Sequence, residues 1–516
     1  MKKKLFKIAE SLGQGERFVR LYMKNKRNFE ELVENSKIKD SSSENGSFII
    51  SIEDSPLQAF LAGIIGINLK ERGYKPIIIP QRYFKPIYSP PPQYQNETTR
   101  KIRSYKTDYI LDEFGLKATN PQEYIEESKI DKEKILEIYP NLNQIPKSVC
   151  RKKFRRYSLD LENNHDHKNS YEAALNSVKD LGEITHSLVE KEDVDGIITC
   201  DSVYLNRVFG EISLENDIPS YSFGPGYFKQ KSIIFGKFDC KAPLPQFTAV
   251  DKVQNELKKE LSTGKEQRLH KFLESRFNGE AVLPEHVESS EDSISKSPDR
   301  TIGIFTNLMW DGSLEVEDTV FETPFEWLEE TIEEVRDEDI RLILKTHPAE
   351  ADRVTRETVK EWIEENIDDL PENFEILPPD TDVNPYEFMK VIDEGFVWNS
   401  TVGLEMAYQG MSVCVAGDTH YKDLGFTFDP DSKEEYFDFL MEGLPEVSED
   451  MVEKAKRYCY LLFFRRHFDL PYFERGEGVK EFKKVDPEDI YREEELNEAI
   501  DKILDNETVI KDLYDQ

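Results

Sequence analysis

Apolar residues fall along this chain in short runs, each followed by a polar turn and then by a longer stretch in which they recur three or four positions apart. The runs at 48–52, 76–79, 196–199 and 220–223 predict strands in the first half, and those at 302–306, 341–344, 374–377, 395–398 and 412–416 predict strands in the second. Helical spacing joins them at 57–72, 171–191 and 203–214, then at 325–335, 354–367, 385–392 and 402–409. A chain that alternates strand and helix makes right-handed crossovers and builds parallel sheets, so the expected fold class is α/β. The stretch 284–300 is rich in Ser, Glu and Asp and has little to bury, so it reads as a linker. It divides the 516 residues into an α/β domain at 1–283 with a helical start, a second at 301–448, and a helical tail at 449–516 expected to pack back across the junction.

The second half is organised around 395–427. An apolar run gives way to Asn399, Ser400 and Thr401, all good N-cap residues, and the helical pattern that follows stops at Gly410. Such a cap points unpaired backbone N–H groups and the positive end of the helix dipole out of the sheet, where a phosphate can be held. Every strand of a parallel sheet delivers its C-terminal loop to the same edge. Asn307, Asp311 and Gly312 after the first strand, Lys345 and His347 after the second, and Ser400 and Thr401 after the fourth are therefore expected to meet there. Lys345, His347 and the capped helix would form an anion site, the histidine offsetting charge on a leaving phosphate. Glu405 fits neither register of a capping box, and in the second helical turn it stands where an acid can reach ribose hydroxyls. The loop 417–425, with His420 and Tyr421, is placed to close over a base or sugar. In the first half Glu53 and Asp54 follow the first strand and Asp201 follows the strand at 196–199, which puts three acids at the edge where open α/β sheets bind ligands; an N-cap is the bland alternative for Asp201.

Charge narrows the function. A formal net charge of −35 excludes non-specific wrapping of nucleic acid, which needs a basic face. The cysteines at 150, 200, 240, 414 and 459 lack CxxC spacing and are odd in number, which points to a reducing compartment and no zinc site. The longest apolar run, 60–67, is far short of the ~20 residues of a bilayer span, and Lys7 and Glu10 break any apolar segment behind the lysines at 2–4. A cytoplasmic protein is expected. Residues 1–28 are basic, with Arg17, Arg20, Lys24, Lys26 and Arg27, a pattern for peripheral contact with anionic lipid at the inner membrane face. Asp380-Thr381-Asp382 and Asp429-Pro430-Asp431 have the form of a metal-binding DxD, but such triplets arise by chance in a chain with 103 acidic residues, and no metal or other cofactor is assigned.

Four segments carry a resemblance: FTNLMWDGS at 305–313, KTHPAE at 345–350, NSTVGLEMAYQG at 399–410 and GDTHYKDLGFTFDP at 417–430. In that order they resemble the capsule polysaccharide biosynthesis family, which includes Kdo transferases of capsule export systems. The HP and Ser-Thr pairs are also similar to those of bacterial polysialyltransferases and teichoic-acid glycerophosphotransferases. The resemblance implies a GT-B-like fold, two Rossmann-like domains facing a cleft, the second holding the nucleotide-activated donor. It implies an inverting, metal-independent glycosyltransferase that uses a nucleotide-sugar, with a CMP-sugar favoured, to extend a surface or capsular polysaccharide or a glycolipid acceptor. His347, Ser400 and Thr401 would hold the donor phosphate and Glu405 its ribose, while the base would come from the first domain, where Glu53, Asp54 and Asp201 are placed by topology alone. The family's acidic pair before a glycine is only half present at Asp311-Gly312. A glycerophosphotransferase or epimerase on the same scaffold, or a non-catalytic assembly partner, are the alternatives.

Overall fold

A computed structural model describes residues 45–83, 97–121, 124, 130–225, 232–238, 250–277, 300–314, 319–352, 355–379, 381, 383, 385–469, 473–476, 479–482 and 494–512. The basic N-terminal stretch, Asp380, Asp382 and 284–299 of the expected linker lie outside them. Strand β1 (Ser47–Ile52) is buried along its whole length, which is why it reads as a continuous apolar run and not as an alternation. It leads into helix α1 (Pro56–Glu71), whose start is fixed by Ser55 accepting from the Gln58 N–H and by proline in the first turn. Strand β2 (Lys75–Pro80), α2 (Glu97–Glu113), α3 (Ile145–Phe154), α4 (His165–Lys191), β3 (Val194–Thr199), α5 (Arg207–Glu215), β4 (Ser220–Pro225) and β5 (Ser232–Lys237) follow. Strands β2, β1, β3 and β4 pair in parallel in that order, and β5 adds antiparallel to β4.

After α6 (Val250–Glu256) and α7 (Thr263–Phe277) the second sheet begins: β6 (Arg300–Phe305), α8 (Pro324–Glu334), β7 (Ile340–Lys345), α9 (Val359–Asn366), β8 (Phe374–Leu377), α10 (Pro385–Met389), β9 (Glu394–Val397), α11 (Thr401–Tyr408) and β10 (Ser412–Val415). The order β8-β7-β6-β9-β10 is parallel throughout. In chain order this is 3-2-1-4-5, the doubly wound arrangement in which connections leave β6 and β9 in opposite directions and open a crevice between them. Two Rossmann-like sheets are therefore present, as expected.

The chain then crosses twice. Helices α6 and α7, which the expected boundary at 283 assigns to the first domain, bury Val253, Leu257, Leu269 and Leu273 in the core of the second, with Leu404 and Met406 of α11. The tail goes the other way. After α12 (Lys433–Glu442) and α13 (Glu449–Tyr460), a π-helical turn (Leu461–Arg465) leads to strand β11 (His467–Asp469), which pairs antiparallel with β5. Helix α14 (Glu494–Leu504) then buries Leu496, Ala499, Ile500 and Ile503 in one core with Phe48, Ile50 and Phe60 of the first sheet and its helix. The tail does pack back across the junction, but part of it is strand, and the divide in space is not the divide in sequence. Among the described residues no helix is long and apolar enough to cross a membrane.

Candidate functional site

In an open parallel sheet the loops at the carboxyl ends of the strands flanking a change of direction form the ligand crevice. In the first sheet that change falls between β1 and β3, so Glu53 and Asp201 come from adjacent strands. Burial pushes the Asp201 carboxyl up to about 6, and the neighbouring Glu53 charge pushes the same way, while Lys152 pulls it down. Its oxygen accepts from the Val203 N–H at 3.3 Å and from Asn206 Nδ2 at 2.9 Å. The Asn206 amide is itself fixed: its Oδ1 accepts from Ser51 at 2.9 Å and Gln81 at 3.0 Å, so its NH2 must face Asp201. The alternative reading of Asp201 as the N-cap of the next helix does not arise, because a 3-10 turn at Tyr204–Asn206, capped by Val203, precedes α5, and in it Tyr204 has φ 54°. That left-handed backbone costs a bulky residue ~1–2 kcal/mol. Asp54 is set apart from the pair by its salt bridge to Arg82 at 3.0 Å, and its backbone carbonyl accepts from Arg103. Burial raises its carboxyl, with Arg82 opposing.

In the second sheet the change of direction falls between β6 and β9, and the loops after them touch: the Asn399 N–H reaches Asn307 Oδ1 at 3.5 Å. Ser400 caps α11, accepting from the Val402 N–H at 3.3 Å, so the first-turn amides of α11 open onto this crevice. His347 follows β7 on the other side of β6, two strand spacings from Ser400, roughly 10 Å, with the Asn307 loop between them. Its Nδ1 accepts from the Ala349 N–H at 3.1 Å, which assigns the ring hydrogen to Nε2. Lys345 is enclosed at the end of β7, its ammonium 3.4 Å from the Pro378 carbonyl, so it lies beneath the edge and not on it.

Three expected donor contacts take other roles. Glu405 is 1% exposed and receives Arg276 of α7 at 2.9 Å and 2.6 Å, a buried ion pair that docks α7 on α11 and leaves no path to a ribose. His420 is buried with its ring at 2.6 Å from the Tyr458 hydroxyl; burial, and after it the Arg466 charge, depresses its pKa to about 3, so it is neutral. Tyr421 is fully buried and donates its hydroxyl to the Ser400 carbonyl at 2.5 Å, bracing the helix cap from behind. The loop 417–425 is a buttress and not a lid.

The two edges meet. Tyr204 accepts from the Gly312 N–H at 2.8 Å and donates to Asp311 Oδ1 at 3.3 Å. Beside it stands the end of α3: Lys152 in its last turn lies 3.8 Å over the Tyr204 ring, and Arg155, just after the helix, lies 4.2 Å over the ring of Trp310 across the junction. Glu357 accepts from the Tyr157 and Ser158 N–H groups at 2.7 and 2.8 Å. Sequence reasoning missed Tyr204, Lys152, Asn206 and Arg276. None belongs to a motif, and only the fold brings them to the site.

Residues 318–448, about a quarter of the chain, match the family model described as capsule polysaccharide biosynthesis protein. That span contains three of the four resembling segments and leaves out 305–313. No curated protein matches. Among solved structures, similarity is found to the Thermosulfurimonas dismutans KpsC β-Kdo 2,4 transferase, at 12% identity and a TM-score of 0.35 over 51% of this chain and 79% of that one. The β-Kdo 2,7 transferase of the same protein aligns at 14% identity and 0.33, covering 63% and 88%. The Methanocaldococcus jannaschii UDP-GlcNAc 2-epimerase aligns at 12% and 0.26, covering 81% and 99%.

Proposed function

We propose that this protein is an inverting glycosyltransferase of capsule or surface polysaccharide synthesis that transfers a sugar from a nucleotide donor, a CMP-sugar in the favoured reading, to a glycan or glycolipid hydroxyl. One observation carries the reading: the Tyr204–Gly312 contact joins the loop that holds Asp201, with Glu53 beside it, to the loop after β6, whose Asn307 meets Asn399 before α11. A donor bound at the second edge presents its anomeric carbon to the first. Asp201 removes the proton of the acceptor hydroxyl as that oxygen bonds to the anomeric carbon. The bond from that carbon to the phosphate oxygen breaks on the opposite face, and its electron pair leaves with the nucleotide. A carboxyl whose pKa is lifted to about 6 is a stronger base than an ordinary aspartate and is still ionised at pH 7. The His347 Nε2–H and the helix amides meet the charge that grows on the leaving phosphate, and with those donors the step needs no divalent metal.

The test is product analysis with CMP-, UDP- and GDP-sugars, with and without EDTA. Asp201→Asn is expected to abolish transfer while nucleotide binding stays within about twofold, since the base touches only the acceptor. His347→Ala is expected to lower kcat by ~10²–10³ with a smaller loss of donor affinity, because its contact strengthens as charge develops. Full activity of either variant, or absence of turnover with every nucleotide sugar, ends the assignment.

A further inference from the structure

The loop that holds Asp201 is closed by a residue that the second domain grips. Tyr204 is only 4% exposed, holds a left-handed backbone at φ 54°, and lies between the two groups that hydrogen-bond Asp201, the Val203 N–H and the Asn206 amide. Contacts from outside the turn hold the Tyr204 side chain. Its hydroxyl accepts from the Gly312 N–H and donates to Asp311, both in the loop after β6, and Lys152 covers its ring. Position 312 is glycine for a steric reason, since a Cβ there would stand 3.0 Å from two ring carbons of Tyr204 and 3.2 Å from Val203 Cβ.

We propose that Tyr204 is a positioning residue that couples the Asp201 loop to the second domain, so that the base takes its working geometry only when the loop carrying Asp311 and Gly312 engages the tyrosine hydroxyl. The strained turn supplies the other state: released from Gly312, the 201–206 backbone relaxes and the two hydrogen bonds that orient Asp201 are lost together. Because the partner loop follows β6, the strand beside the donor crevice, the base is assembled on the side where the donor binds. The catalytic half of this inference rests on Asp201 being the base; the structural half does not.

Amide deuterium exchange over 200–206 in the full chain tests the coupling directly. Tyr204→Phe and Gly312→Ala are each expected to speed exchange there by about tenfold, the loss of one hydrogen bond of ~1.4 kcal/mol, while the β1 amides keep their protection and report an intact fold. Gly312 belongs to the other sheet, so a purely local role for it leaves 200–206 unchanged, and that result overturns the proposal. In turnover, Tyr204→Phe is expected to lower kcat by about tenfold with the donor KM within twofold, and to lose activity without a matching loss of nucleotide binding. A Tyr204→Phe enzyme with wild-type kcat also overturns it. If the wild type turns over no nucleotide sugar, the glycosyltransferase reading falls, and the exchange experiment still decides the coupling.

Discussion

Glu350, three residues beyond His347, is 3% exposed, and of its two oxygens one accepts from the Val359 N–H at 3.4 Å while the other has no hydrogen-bond partner among the described residues. Burial lifts its carboxyl to about 8, with that N–H opposing. The folded-state value lies above the unfolded 4.5, so the neutral acid stabilises the fold fully below about pH 4.5, and that stability is lost as pH rises through about 8. Glu350→Gln removes the titration. Its thermal midpoint is expected to change less between pH 6 and pH 9 than that of the wild type, the gap corresponding to a few kcal/mol at ~1.4 kcal/mol for each tenfold change in proton affinity. Parallel melting curves for the two proteins over that interval would contradict the assignment. Within the segment KTHPAE the sequence could single out His347 as a candidate and not Glu350, because a glutamate two residues after a proline looks exposed until the fold encloses it.

Most of the elements were readable because each is signalled locally: an apolar run for a strand, a cap and a glycine stop for a helix. The boundary errors have local causes too. The helix expected at 354–367 starts at Val359 because Thr358 and Glu361 form a capping box, and the helix expected from 203 starts at Arg207 because the strained Tyr204 turn precedes it. Pairing was not readable. Residues 467–469 follow an aromatic-rich helical pattern, yet become a strand because β5 offers an unpaired edge. The α11 cap shows how an element is held from behind. Gly403 lies against the Tyr421 hydroxyl that braces the Ser400 carbonyl, and a Cβ there would overlap that hydroxyl. Gly403→Ala is therefore expected to destabilise the protein by ~1–3 kcal/mol and to weaken nucleotide binding, since relief requires moving the cap. A double-mutant cycle with Tyr421→Phe should recover part of the loss; strict additivity of the two changes would show that the contact is not the cause.

At the scale of the whole molecule the two sheets are tied by chain that crosses between them, and this alters what a domain is here. The core of the first sheet is completed by α14, whose Leu496, Ala499, Ile500 and Ile503 are almost fully enclosed against residues more than four hundred positions earlier, and Arg72 at the end of α1 pairs with Asp501 at 2.8 Å. The second core is completed by α6 and α7, sealed by the Arg276–Glu405 pair. No local pattern carries this information, because an amphipathic helix shows that it has an apolar face and not which core that face enters. The consequence is that the first sheet cannot keep its stability without the end of the chain. Ile500→Ala is expected to cost ~2–5 kcal/mol through lost burial and the cavity left behind. That loss should fall on one of two calorimetric transitions, or lower a single one if the crossing segments make the halves unfold together. A chain ending at residue 493 is expected to lose protection of the β1 and β3 amides first, before those of β6 and β9, and with them the geometry of Glu53 and Asp201, while the donor crevice between β6 and β9 still binds nucleotide. Wild-type exchange in β1 of that shortened chain would show that α14 merely lies on the first sheet and does not complete it.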